Sequence, residues 1–280
     1  MKLSEISKNN DISMPDPLSS RLDAAQKLQY TDPKQAYDIA YDICREINSE
    51  QMPVVYLRAL YLKGRASWHM GHFEEALFGG TELLEQSEAL ENKAYQAEAY
   101  NLLGNVNLHM DNLDQALEYY RDGLRLAKIS HNTRAESSLH NNIGEIYNRL
   151  DANEQAKEYY EKGLRIALAT NQANGIGIGY LNLGELAMKA GNYDVATKRV
   201  HDALDVFRKD HDKLGEAHVL FLMADILTLK GELDQAEDYY KDAEAIEKET
   251  GDQYNYLRTG IAYTKLLIKK KTFQRLKASV

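Results

Sequence analysis

Apolar residues along this chain recur at helical spacing. In one stretch they fall at Tyr100, Leu103, Val106 and Met110, then at Leu113, Ala116, Leu117, Tyr120, Leu124 and Ala127. This is the i, i+3, i+4, i+7 pattern of amphipathic helices. Asp111-Asn112 interrupts it, which predicts helices over Ala97–Met110 and Leu113–Ser130 joined by a tight turn. No segment alternates with period two over a useful length, so strands are not expected. The connectors are short, so neighbouring helices should run antiparallel.

The pattern repeats. Ala36, Ala76, Ala116, Ala156, Ala196 and Ala236 stand 40 residues apart. Twelve residues before each comes a small residue: Ala24, Gly64, Gly104, Gly144, Gly184 and Ala224. Four residues after, three repeats carry the second Tyr of a Tyr-Tyr pair: Tyr120, Tyr160 and Tyr240. Three residues further stand Gly123, Gly163, Ala203 and Ala243. A Gly inside a helix costs about 1 kcal/mol relative to Ala, so its recurrence needs a packing reason. Helices approach closely only where side chains are small, and large residues fill the space between, each worth about 1.5–3 kcal/mol when buried. One hairpin cannot bury both of its faces, so stability must come from stacking.

The unit Ala97–Lys128 resembles a tetratricopeptide repeat (TPR), through Tyr100, Leu103-Gly104, Ala116, Tyr120 and Gly123. The resemblance covers about residues 18–280, and its period exceeds the family's usual ~34 residues. It implies an all-α fold, a right-handed α-α superhelical solenoid of helical hairpins. The expected layout is a disordered leader over 1–17, then six repeats at about 18–52, 53–92, 93–133, 134–173, 174–213 and 214–253, and a partial seventh repeat or capping helix over 254–280. In that last unit Thr264 takes the small position and Phe273 should open a second helix. Gly79-Gly80 replaces the Tyr pair in the second repeat, which should loosen that helix or admit a closer neighbour.

The resemblance also implies that the first helix of each hairpin lines a concave groove. Carried over by position, the lining residues are Tyr61, Arg65, Trp68 and His69, then Asn101, Asn105, Leu108 and His109. The fourth repeat gives Asn141, Glu145, Asn148 and Arg149, and the fifth gives Leu181, Glu185, Met188 and Lys189. The sixth gives Phe221, Asp225, Thr228 and Leu229. An Asn amide can meet both N–H and C=O of an extended peptide. Asn101, Asn105, Asn141 and Asn148 therefore read either as backbone contacts or as links to the neighbouring helix, with Asn142 and Asn182 beside them. Trp68 reads either as a partner anchor or as packing between the first two repeats. The Lys/Asn clamp that some relatives use for C-terminal carboxylates is not matched.

Composition narrows the function. Lys and Arg number 34 against 43 Asp and Glu, a net charge of −9 that speaks against general nucleic-acid binding. The N-terminus has no apolar signal core, and the longest apolar stretch, Val219–Ala224, is far short of a membrane span. The single cysteine, Cys44, excludes an intrachain disulfide and suits a reducing cytoplasm. His69, His72 and His109 lack a completing ligand at zinc spacing, so no metal is expected. Gly175, Gly177 and Gly179 follow no strand, so they are no dinucleotide loop; they would soften the start of a helix, or form a hinge between the fourth and fifth repeats. The basic stretch from Lys265 to Lys277 faces an acidic preceding unit. No nucleophile stands with a base and an orienting partner, so no catalytic residue and no cofactor are assigned.

The expected function is non-catalytic recognition of a protein or peptide partner in the groove, with self-association as a further option. LQYTDPKQAYDIA followed by 40-residue repeats also resembles the TPR sensory half of bacterial signalling proteins of the diguanylate-cyclase type, which implies a regulatory role. A free-standing adaptor and a peptide-pheromone receptor are the alternatives.

Overall fold

The structure, a computed structural model, describes residues 17–278. The expected leader therefore lies outside the described residues except for Pro17, which opens the first helix. Among the described residues every regular element is an α-helix. The first helices of the hairpins are α1 (Pro17–Leu28), α3 (Pro53–His69), α5 (Lys93–His109), α7 (Thr133–Arg149), α9 (Ala173–Lys189) and α11 (Lys213–Lys230). Their partners are α2 (Pro33–Glu46), α4 (Phe73–Ala89), α6 (Leu113–Ile129), α8 (Asn153–Ala169), α10 (Tyr193–Lys209) and α12 (Leu233–Thr250). α13 (Gln253–Ala278) closes the series. It runs unbroken, so no second helix opens at Phe273. Nothing in the run from Lys265 to Phe273 supplies the Gly, Asn or Pro that would turn the chain.

The 40-residue period is itself two half-periods of 20 residues. From Gly71 to Gly251, every twentieth residue holds a positive φ, between 51° and 84°: Gly71, Glu91, Asp111, His131, Asp151, Asn171, Gly191, His211, Gly231 and Gly251. Each is the left-handed residue that ends a helix. The next N–H then reaches back to a carbonyl five residues earlier, as Asn112 does to Asn107 at 2.9 Å and Asp252 to Glu247 at 2.9 Å. This is the Schellman cap, which satisfies an orphan carbonyl and starts the next helix within three residues. Asn92, Asn132 and Asp212 cap the following helices from their side chains, accepting from Tyr95, Ala135 and Gly215.

The six alanines at the 40-residue spacing are all fully buried. So is the gap between each small residue and the aromatic facing it. A Cβ on Gly104 would lie 2.3 Å from the Tyr120 ring, and one on Gly144 would lie 2.6 Å from the Tyr160 ring. In the second repeat, where Gly79-Gly80 replaces the Tyr pair, α4 stays continuous and its neighbours move in: a Cβ on Gly79 would meet the Gly64 Cα at 3.2 Å. Of the two expectations for those glycines, closer approach is the one that holds. The same applies to α9. Cβ atoms on Gly177 and Gly179 would strike Phe207 at 2.6 Å and Leu164 at 2.9 Å, so these glycines are close-contact points within an intact helix.

Successive first helices also touch one another, α3 to α5 to α7 to α9 to α11, whereas the second helices have no comparable contact. The first helices therefore form the shorter, inner layer. The coil is tight enough to meet itself. The Leu214 N–H at the start of α11 donates to the Tyr30 carbonyl beyond α1 at 3.4 Å, and Tyr254 of α13 meets the His109 ring of α5 edge-on, centroids 4.6 Å apart.

Two stability outcomes follow from these contacts. Gly104→Ala should lower stability by about 2 kcal/mol, because displacement of the Tyr120 ring outweighs the helix-propensity gain of about 1 kcal/mol. Glu91→Gly should raise stability by about 0.5–1 kcal/mol by removing a left-handed non-glycine residue. Thermal and urea denaturation measure both.

Candidate binding groove

The inner wall is built from the position just after each small residue, which the second helix holds from behind. Tyr120 donates to the Asn105 Oδ1 at 2.8 Å, Tyr160 donates to the Glu145 Oε2 at 3.1 Å, and Tyr240 donates to the Asp225 Oδ1. Each buried tyrosine thus reaches under its small residue and fixes a polar side chain on the opposite face. In the second repeat no tyrosine stands behind, and Arg65 is held from in front. It donates to the hydroxyls of Tyr61 at 2.8 Å and Tyr30 at 3.0 Å. Burial and Arg65 together hold His69 neutral, its pKa lowered to about 3.

The asparagines divide. Asn142 donates through its Nδ2 to the carbonyls of Asn101 and Asn105, both at 2.8 Å. The side-chain carbonyls of Asn101 and Asn105 are thereby committed, while their Nδ2 groups have no hydrogen-bond partner among the described residues. Asn141 is only 2% exposed, turned toward Gly163, whose added Cβ would lie 2.7 Å from its Oδ1. Asn148 is buried as well; it donates to Glu145 at 3.2 Å and accepts from Lys189 at 2.9 Å.

The other expected lining residues also sort by depth. Trp68 packs against the cluster of Ala76, Leu102 and Val106, and its indole nitrogen is buried without a partner. Leu181 is 3% exposed inside the core of the fifth and sixth repeats, and Met188 packs against the same core. Leu108 packs against the core of the third and fourth repeats. His109 is stacked on Phe73, centroids 3.8 Å apart. Arg149 pairs with Glu145 at 2.9 Å and bonds the Leu108 carbonyl at 3.1 Å; Lys189 pairs with Glu185 at 3.3 Å. Phe221 lies beneath Arg258, the guanidinium carbon 4.2 Å from the ring centroid.

A row of wall residues lies one turn further toward the helix starts, six positions before the small residue: Arg58, Glu98, Ser138, Ile178, His218 and Arg258. Arg58 bonds Asp23 and Gln26, Glu98 pairs with Arg134 at 2.9 Å, and Arg134 lies 5.1 Å from the Tyr61 ring centroid. Sequence reasoning missed this row because it carried over only the positions three before and one to five after the small residue; it also began the third repeat's first helix at Ala97, whereas α5 starts at Lys93. The Asn92 N-cap was the available signal.

Among the described residues no group of three or more His, Cys, Asp or Glu is arranged to hold a metal ion, and no helix is long and apolar enough to cross a membrane. A tetratricopeptide-repeat model matches residues 95–169 and 176–249, more than half of the chain. The chain belongs to the tetratricopeptide-repeat family. The TPR solenoid is similar to a Rap protein solved with competence and sporulation factor, at TM-score 0.67 and 14% identity, covering 92% of this chain and 72% of that one. It is similar to NprR solved with its cognate peptide NprX, at TM-score 0.70 and 17% identity, covering 93% and 77%. It also resembles a signal-transduction ATPase with a TPR sensor from Pyrococcus horikoshii, at TM-score 0.55 and 14% identity, covering 92% of this chain and 43% of that one. A comparison with curated protein sequences gave no match.

The neutral His69 carries a pH signature. Its folded pKa is about 3, below the unfolded value near 6.5, so the unfolded chain takes up the proton first. Stability tied to this residue is intact above pH ~6.5 and lost progressively as pH falls towards 3. His69→Gln should flatten the melting temperature against pH between 7 and 4. It should not abolish the slope, because His140 and His218 are held down to about 4 and about 3.

Proposed function

We propose that this TPR chain is a non-catalytic recognition module that holds an extended peptide segment of a protein partner along its inner wall. The observation that carries the reading is the Asn101, Asn105 and Asn142 arrangement. Asn142 and Tyr120 fix two amides by their oxygens, and this leaves two oriented N–H₂ donors for peptide carbonyls. Donors fixed in advance lose little freedom on binding.

The solved structures support a regulatory context. The Rap protein was solved with competence and sporulation factor, NprR with its cognate peptide, and the Pyrococcus horikoshii protein is named as having a TPR sensor. A sensory or regulatory part of a bacterial signalling protein is the context favoured here, with the diguanylate-cyclase type as one form of it. The peptide-bound NprR structure favours a second reading, a receptor for a small signalling peptide. A free-standing adaptor differs from both in lacking an effector domain, and the full gene length separates it.

Asn101→Ala combined with Asn105→Gly should weaken retention of a degenerate pentapeptide library by roughly tenfold, since a net hydrogen bond contributes about 0.5–1.5 kcal/mol. Mass spectrometry of the peptides retained by immobilised protein measures this. Unchanged retention removes the asparagines from the mechanism.

A further inference from the structure

The wall residue nearest the end of the solenoid has no partner for its charge. Arg258, on the first turns of α13, lies flat over Phe221 of α11 at 4.2 Å. Its Nε and Nη2 are both buried, and neither has a hydrogen-bond partner among the described residues. On the inner wall Arg58, Arg134 and Arg149 each meet a carboxylate, and Arg65 donates to the hydroxyls of Tyr61 and Tyr30. Leaving a cation's donors desolvated and unpaired is costly, and stacking on a ring offsets only part of it.

Three groups feel the Arg258 charge, and none of them satisfies it. Asp225 is tied to the Tyr240 hydroxyl. Glu247 accepts from Thr259 at 2.9 Å through Oε1, its other oxygen is buried without a partner, and burial raises its pKa to about 7. His218 is held neutral, with a pKa of about 3, by burial and by Arg258 itself. Asp252 and Glu244 add to the upward push on the Glu247 carboxyl.

The two unpaired donors share one edge of the guanidinium. Nε–H and Nη2–H point the same way, at the separation of the two oxygens of a single carboxylate. The neighbourhood sets the ligand's charge. A phosphate dianion would meet Asp225 and Glu247 as well as the arginine, whereas a carboxylate brings one negative charge to one positive charge. Both donors are covered in the chain without a ligand, so a carboxylate reaches them when the partly open side chain shifts on its stem.

We propose that Arg258 is a carboxylate receptor at the C-terminal end of the groove, taking an Asp or Glu side chain or the C-terminal carboxylate of the bound peptide. This rests on the peptide-binding reading above and adds its specificity. It places the acidic group of the peptide against Phe221 and Arg258, three and four repeats along the coil from the Asn101–Asn105 amides.

The test uses the full chain, immobilised, and three degenerate pentapeptide sets: neutral with an amidated end, neutral with a free carboxylate, and acidic with an amidated end. Wild type should retain one of the two carboxylate-bearing sets at least tenfold better than the neutral amides, and which one identifies the source of the carboxylate. Arg258→Gln should abolish that preference while still retaining neutral amides. Arg258→Lys should keep only part of it, because an ammonium lacks the fork. Glu247→Gln should leave it intact. Without peptide, Arg258→Gln should melt at or above the wild-type temperature, because it removes an unpaired buried charge. Equal retention of all three sets by wild type, a preference that survives Arg258→Gln, or a lower melting temperature for that variant overturns the receptor role and leaves the groove reading standing. Retention of no set overturns the groove reading itself.

Discussion

The fold depends on one close approach, repeated: an aromatic ring of a second helix lying against the bare backbone of a first helix. Gly104 and Gly144 leave no room for a Cβ because Tyr120 and Tyr160 already occupy that volume. The ring does more than fill space. Its hydroxyl emerges on the far side of the first helix, at Asn105 or Glu145, and fixes the side chain that faces the groove. Packing and the polar inner wall are therefore coupled through a single residue in each repeat that carries the tyrosine. Where the tyrosine is missing, the wall residue finds another anchor, as Arg65 does with Tyr30 and Tyr61, or Glu185 with Lys189.

The second constraint is angular. A helix of 17 or 18 residues followed by a short Schellman turn gives the same 20-residue hand-off ten times, and the small residues set how closely successive first helices pack. Because only those helices touch along the series, curvature accumulates in one direction. By the sixth and seventh units it brings Leu214 to Tyr30 and Tyr254 to His109. The inner wall is narrow as a result. Residues two repeats apart reach one another, as Arg134 and Tyr61 do, so the groove chemistry belongs to sets of repeats.

Much of this was legible in the sequence, because the signals were steric and periodic. The buried alanines, the Gly–Tyr complementarity and the second-helix boundaries could be read directly: α6 begins at Leu113, as the pattern predicts. What was not legible depended on the angle at which a side chain leaves its helix. Asn141 and Asn101 hold equivalent positions, yet one turns towards Gly163 and the other towards Asn142; the space beside Gly163 is taken by the amide, whereas the space beside the equivalent Gly123 is taken by Tyr100 and Leu139. Leu181 occupies the same position and, having no polar group to place, joins the core. The first turns of the first helices were missed because their polar starts carry little amphipathic signal, although the caps at Asn92, Asn132 and Asp212 mark them.

Electrostatics along the wall explains why its two ends differ. In the middle, charges at the fixed position and one turn later pair with each other, Glu145 with Arg149 and Glu185 with Lys189, and such pairs present little net charge to a ligand. At the N-terminal end Arg65 is held by hydroxyls, which orient a guanidinium without neutralising it. At the C-terminal end Arg258 rests on a ring, which does the same. A chain of net charge −9 has ample carboxylates to pair both arginines, so their isolation reflects where those carboxylates are held. Asp225 is fixed by Tyr240 and Glu247 by Thr259, and neither carboxylate accepts from the buried guanidinium donors. The same tyrosine contact that builds the repeat thus also leaves the groove's terminal cation without an internal counter-ion.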